Sequence, residues 1–299
     1  MKQTYTQKPL QVAKALNKEI NIFSTDVENI DPGVVHSFGE EWSKFNSFDQ
    51  GTIDSISRDY FDILNPSIVN KNTYAIDIGC GTGRWAKYLS TLAGFVECVD
   101  PSKAIYAADA LLANVDNIRL TQASTENIPF ADESFDFAMS VGVLHHIPNT
   151  QKAMMDCVKK VKKGGYFYCY LYYNLDNRGS LYKGLFYLSN VVRKVICRFP
   201  QGLKKITCDI LAVVLYLPWV LLARFFTIIG MQKFAKTIPL AAYQNKSFFV
   251  IRNDSLDKFG TSIEHRYSKK EVIEMMHACG LTDIVVSPNS PFYHAVGRK

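Results

Sequence analysis

An acid at position 77 is followed by glycines at 79, 81 and 83, in the run Asp77-Ile-Gly-Cys-Gly-Thr-Gly83. Alternating glycines let a turn tighten and let the backbone approach a ligand that any side chain would block. A second acid, Asp100, lies 23 residues after Asp77 and is followed by Pro101 and Ser102. A carboxylate in that place can accept both hydroxyls of a ribose, whereas a site for a ribose phosphate would favour a cation. The dinucleotide fingerprint needs G-x-G-x-x-G, but position 84 is Arg, so the spacing here is G-x-G-x-G. A glycine-rich turn with no ligand is the plain alternative. Further along, His145 and His146 stand side by side. Imidazole is the usual general base near neutral pH, and its plain alternative here is packing at a strand end. Tyr172, Tyr173 and the run Glu264, His265, Arg266, Tyr267 offer further polar groups, with structural roles favoured for each. No metal-ligating constellation stands out.

These residues need elements to hold them. Short apolar runs over 74–78, 95–99, 118–121, 135–141 and 166–173 read as strands, and 83–92, 104–113 and 150–162 as the helices between them. Strand and helix alternating at this spacing imply right-handed crossovers and a parallel sheet with helices on both faces. In such a sheet ligands bind at the carboxyl ends of strands, where Asp77, Asp100 and the histidines fall. Ser268 reads as the N-cap of a last helix ending near Cys279 and Gly280, and 284–287 and 293–296 as two final strands. Phe38, Trp42 and Phe45, four and three apart, would share one helical face. That face suits a lid over the site or ordinary packing on the core.

The motifs together resemble the class I S-adenosylmethionine-dependent methyltransferases, in the type 11 small-molecule group. The likeness is close over about 70–170 and looser over 266–299. It is carried by the glycine loop and by Asp100. Further support comes from the runs Asn127-Ile-Pro-Phe130, Glu133-Ser-Phe-Asp136, Val141-Gly-Val-Leu-His-His-Ile-Pro148 and Val161-Lys-Lys-Gly-Gly165. The resemblance implies a Rossmann-like fold: a seven-stranded, mostly parallel sheet with helices on both faces, an N-terminal helical segment and a helical insertion. It implies S-adenosylmethionine as cofactor. Gly79, Gly81 and Gly83 would line its methionine half, Asp77 would lie beneath that loop, and Asp100 would bind the ribose. Pro101 or Ser102 would border the adenine, and Val141 would lie at the same pocket. Family members often carry Asp at the position of Ser124, so the adenine contact rests on Ser124 with Thr125 and Glu126 as substitutes. Asp136 is expected to be a strand-start residue. His145, His146 and Tyr173 are the candidate catalytic residues.

The chain then divides into a lid segment over 1–70, a cofactor-binding core over 71–174, an insertion over 175–250 and a completion of the core over 251–299. Charge separates these zones. Residues 1–174 carry net −4, 175–250 net +9 and 251–299 net +1, so the insertion holds the whole basic excess of +6. The insertion also contains 14 residues, 210–223, without a charge. A spanning helix needs about 20, and extending the run would bury Asp209 or Arg224 at about 2.5–3.5 kcal/mol each. With Pro218 inside it, the run is expected to be helical without spanning. Two uses suit it: a cap shaping a pocket for a small or lipid-like acceptor, or a peripheral contact with an anionic membrane through Arg193, Lys194, Arg198, Lys204 and Lys205.

Seven cysteines without a C-x-x-C pair argue against a disulfide framework or zinc ribbon and fit reduced thiols. The first residues lack the apolar stretch of a secretory signal. The expected location is therefore cytoplasmic, with the inner face of a membrane as the alternative. The activity expected is methyl transfer to an oxygen nucleophile, such as a quinone precursor or a lipid-linked or glycan intermediate. A non-catalytic cofactor-binding regulator of the same fold is the second class. A nucleic-acid methyltransferase is the third, disfavoured because long aliphatic runs interrupt the basic residues.

Overall fold

Strands buried on both faces must be apolar throughout, and Tyr74–Ile78 is buried at all five positions. In the computed structural model, residues 2–42, 50–176, 179–246 and 248–299 are described. The chain forms two compact units, one made of Met1–Asp176 and Ile263–Lys299 and the other of Asn177–Ser262.

The first unit is built on one sheet. Its strands are β1 (Gln11–Lys14), β2 (Glu19–Ile22), β3 (Tyr74–Ile78), β4 (Phe95–Asp100), β5 (Ile118–Gln122), β6 (Phe135–Val141), β7 (Val161–Tyr170), β8 (Thr282–Val286) and β9 (His294–Arg298), in the order β1-β2-β5-β4-β3-β6-β7-β9-β8. Strands β3 to β7 are parallel to their neighbours among themselves, and β9 runs antiparallel between β7 and β8. The order reverses between β3 and β6, which opens a crevice at the carboxyl ends of those strands.

The helices, in chain order, are α1 (Pro32–Trp42), α2 (Gln50–Tyr60), α3 (Arg84–Leu92), α4 (Ala104–Leu111) and α5 (Thr150–Lys159), then α6 (Ser180–Ile196), α7 (Gln201–Leu211), α8 (Leu217–Ile228), α9 (Gln232–Ala235) and α10 (Phe248–Gly260) in the second unit, and finally α11 (Lys269–Ala278). Trp85 and Leu89 of α3 and Ile105 and Ala108 of α4 pack with Ala75, Cys98 and Phe137 on one face of the sheet. Met154 and Cys157 of α5 and Val272 and Met276 of α11 pack with Ile76, Ile78 and Phe167 on the other. This is the Rossmann-like class I arrangement.

Two expectations change. Among the described residues the sheet has nine strands rather than seven, because β1 and β2 form a hairpin and β2 joins the edge of β5 in parallel. The N-terminal segment therefore starts as sheet before it turns helical. The insertion runs over 177–262, so the boundary expected at 250 falls inside α10. Helix α10 belongs there because Ile251 and Phe259 share a small core with Ile196, Cys208, Tyr216 and Val220. The insertion leaves the first unit through a pinned stem. Tyr267 N–H donates to the Tyr172 carbonyl at 2.8 Å, and Asn174 N–H donates to the Tyr267 carbonyl at 3.0 Å.

Within the second unit, α7, a wide π-helical turn at Ala212–Tyr216 and α8 form one helix, Gln201–Ile228. At 28 residues it is long and apolar enough to cross a membrane by length and composition. The charge-free run alone understated its reach. Pro218 sits in the first turn of α8, directly after the wide turn, where a missing N–H is tolerated. Asp209 is paired with Arg252, whose Nε donates to it at 2.8 Å. Arg193 is buried and donates to the carbonyls of Thr261 and Ser262, which removes it from the group expected to face headgroups.

Helix α11 begins with a reciprocal cap. Ser268 Oγ accepts from Glu271 N–H at 3.2 Å and the Glu271 carboxylate accepts from Ser268 N–H at 2.7 Å. Ser268→Ala should lower stability by about 1 kcal/mol, read as a fall in the denaturant midpoint at unchanged slope.

Candidate active site

Strand β3 ends by placing Asp77 in the crevice. Its side chain is fully buried, and among the described residues neither carboxylate oxygen has a hydrogen bond of full geometry. Burial, reinforced by the nearby Asp100 charge and opposed by the Arg84 guanidinium and the Ala86 backbone N–H, pushes its pKa up to about 8. The loop that follows is strapped to β4. Gly79 N–H and Cys80 N–H both donate to the Val99 carbonyl, at 2.7 and 3.1 Å. Gly79 has φ +79°, and a Cβ there would lie 2.4 Å from Val143 Cγ2, so no other residue fits. A Cβ on Gly81 would meet nothing within 4 Å, so this turn of the loop faces open space. Gly83 precedes the first residue of α3.

Asp100 ends β4 and is also buried. One oxygen accepts from Gly81 N–H at 2.9 Å, and the other from Ser102 N–H at 2.8 Å and Ser102 Oγ at 2.6 Å. Burial raises its pKa, and these donors oppose the rise. A carboxylate offers about four acceptor sites, so one remains. Accepting two ribose hydroxyls at once, as expected from the sequence, therefore requires one of these donors to let go.

The end of β5 presents Ser124, which is buried with its hydroxyl lacking a partner. Thr125 follows in a short 3-10 turn. Glu126 is turned to another purpose. Its carboxylate accepts from Asn29 N–H at 3.0 Å and pairs with Lys152, which fastens the N-terminal segment to α5. It is therefore not available to an adenine. The Pro101 carbonyl accepts from the Gln122 amide at 3.1 Å, and Val141 is buried at the end of β6. Asp136 holds the start of its strand, accepting from Tyr74 N–H at 2.9 Å and Lys162 at 2.6 Å.

Helix α1 lies over these strand ends. A Cβ on its Gly39 would stand 3.2 Å from Lys103 N and 3.3 Å from Ser102 Cβ. Phe38 has its ring 4.8 Å from that of His146, and the Arg84 guanidinium lies 4.9 Å from the Trp42 ring. Phe45, the third member of the expected face, lies outside the described residues.

The histidines separate in character. His145 is fully buried, neither ring nitrogen has a hydrogen-bond partner, and its ring stacks on Tyr172 at 3.9 Å. Burial first, then His146, Arg266 and His265, hold its pKa well below the usual value, so it stays neutral and is poorly suited to carry a proton. His146 has Nδ1 2.7 Å from the Ile263 carbonyl. That contact fixes the proton on Nδ1 and makes Nε2 the basic nitrogen. Tyr173 turns away from this cluster toward Phe292 and Tyr293, with ring centroids 5.4 and 6.0 Å away. Side chains alternate along an extended chain, so Tyr172 takes the place expected for Tyr173. Arg266, placed by a bond from its Nε to Glu264 at 2.7 Å, lies over the Tyr172 ring.

Residues 76–169 match the profile of the family described as "Methyltransferase domain". These residues run from β3 to β7 and include the glycine loop, Asp100, Ser124 and both histidines. Residues 76–169 are thus similar to a methyltransferase domain. Over 105 residues the chain is 30% identical to the demethylmenaquinone methyltransferase of Staphylococcus aureus, covering 34% of this chain and 44% of that enzyme. The chain thus spans less than half the length of the curated relatives it matches. Among solved structures, a SAM-dependent methyltransferase from Aquifex aeolicus is 13% identical, covering 84% of this chain and 97% of the other at a TM-score of 0.42. The YcgJ protein of Bacillus subtilis is 22% identical, covering 49% and 60%, at a TM-score of 0.39.

These residues fit the cofactor expected from the sequence. Among the described residues, Asp77 is a buried acid with only a weak approach from the Ala86 N–H, Gly81 faces open space, and Ser124 holds an unpartnered acceptor. A cationic amino group beside Asp77 would restore the charge that burial suppresses.

Two outcomes follow from this geometry. Gly79→Ala should lose about 2–4 kcal/mol, from left-handed backbone plus overlap with Val143, and Val143→Ala should recover only the overlap part in a denaturation series. Asp77 has its pKa raised from 3.8 to about 8 in the folded protein. Its contribution to stability is full below the unfolded value and is lost as pH rises through the folded one. The melting temperature of wild type should therefore fall from pH 6 to 9 more steeply than that of Asp77→Asn.

Proposed function

We propose that this chain is an S-adenosylmethionine-dependent methyltransferase acting on an oxygen nucleophile of a small or lipid-like acceptor. The reading rests on one observation above the others: the methyltransferase-domain match covers the strand ends where Asp77, Gly81, Asp100 and Ser124 converge. A demethylmenaquinone methyltransferase among the relatives supports an apolar, quinone-like acceptor.

When bound, S-adenosylmethionine supplies a methyl group activated on a sulfonium, which is displaced in line, so the protein's work is alignment and exclusion of water. Asp77 would hold the cationic amino group and Asp100 the ribose, with Ser124 accepting from the adenine. Helix α1 covers the strand ends through Phe38 and Gly39 and keeps water out. His146 takes the proton of the acceptor hydroxyl on Nε2, while the Ile263 carbonyl steadies the opposite nitrogen. Its contact with Phe38 links the base to the covering helix.

Titration calorimetry tests the cofactor half. Wild type should bind S-adenosylmethionine, and Asp100→Ala should lose at least tenfold in affinity. Binding at pH 7 should release protons from Asp77, seen as a heat that depends on the buffer and disappears in Asp77→Asn. His146→Gln should keep the affinity and lower kcat about 100-fold with a hydroxyl acceptor. No heat with the cofactor or its demethylated product would overturn the reading. Binding with no methylated product across quinol and lipid-linked acceptors would point instead to a cofactor-binding regulator.

A further inference from the structure

The inserted unit presents an apolar face that its own core leaves uncovered. Along the 28-residue helix Gln201–Ile228, Leu203, Ile206, Ile210, Val214, Leu221 and Phe225 are all exposed and recur at helical spacing. Ile228, at the end of that helix, is 83% exposed. The opposite side of the helix packs Cys208, Ala212, Tyr216 and Val220 against α6 and α10. Soluble domains rarely leave so long an aliphatic stripe in water.

Charge indicates what covers it. Residues 177–262 hold 13 Lys and Arg against three Asp, net +10. Two of the acids are engaged within the unit: Asp209 pairs with Arg252, and Asp254 accepts the hydroxyls of Tyr216 and Tyr243 at 2.9 and 2.6 Å. Lys194, Arg198, Lys205, Lys233 and Lys236 are exposed. Trp219 is exposed as well, a residue type that favours the boundary between headgroups and hydrocarbon.

We infer that the inserted unit docks on an anionic lipid bilayer, lying in its surface with the 203–228 stripe among the acyl chains and the lysines at the headgroups. The helix does not cross. Its packed side is bound to α10, and a crossing would carry Arg252, Asp254, Asp257 and Lys258 into hydrocarbon. The inference stands on the second unit alone and holds whatever the first unit methylates.

Flotation of the full chain tests it. The protein should float with vesicles of phosphatidylcholine and phosphatidylglycerol at low salt and about tenfold less with phosphatidylcholine alone. High salt should weaken it, because the charge contribution is screened. Leu221→Glu with Phe225→Glu should abolish flotation, and Lys233→Glu with Lys236→Glu should reduce it several-fold. Both variants should keep the helical circular-dichroism signal and the wild-type response of the first unit to S-adenosylmethionine, whatever that response is. Three results would overturn the inference: no flotation with anionic vesicles, retention in the bilayer after alkaline extraction, or a stable dimer in light scattering that the Leu221/Phe225 variant dissolves while wild type ignores vesicles.

Discussion

Asp77 and Asp100 are buried at the ends of neighbouring strands, where two negative charges repel and water cannot screen them. The local backbone is organised around that repulsion. Asp100 is given three donors, one from the glycine loop and two from Ser102, while Asp77 has, among the described residues, only a weak approach from the Ala86 backbone N–H. These donors ease Asp100 toward its charged form, whereas Asp77 favours its proton. The loop's path follows from this, since Gly81 must bring its N–H to Asp100 while Gly79 passes against Val143. A ligand carrying a cation at one end and a diol at the other satisfies both acids together, and neither acid alone specifies it.

Helix α1 extends the same arrangement outward. It touches the turn after Asp100 through Gly39 and the candidate base through Phe38. The turn after β4 and the turn after β6 thus share one cover. Arg84 adds a link, because its guanidinium lowers the cost of charge on Asp77 and also lies against the Trp42 ring of that cover.

The central strands were legible because a strand buried on both faces leaves an unbroken apolar run, and β3 and β6 appear at the expected residues. The glycine loop and Asp100 were legible because their chemistry depends on spacing along the chain. The hairpin was not, since β1 reads Gln-Val-Ala-Lys and is mostly exposed, held by backbone pairing to β2 and not by a pattern of side chains. The choice between Tyr172 and Tyr173 depended on the phase of an extended segment, and the loss of Glu126 to Lys152 depended on a contact 26 residues distant. The end of the insertion was hidden for a similar reason. Helix α10 is polar enough to pass for core-completing chain, and only its packing with Ile196 and Cys208 assigns it.

The stem at the insertion's base has a consequence for how such a chain can change. Tyr172, Tyr173 and Asn174 pair with Tyr267 through backbone bonds. Lys269 N–H reaches Asp176 just beyond them. The strand returning to the core is therefore registered before the excursion begins and after it ends. The hydrogen bonds of that stem all lie within the first unit, on either side of the excursion over 177–262. In such a chain the sheet with its crevice and the inserted helical unit can evolve at different rates.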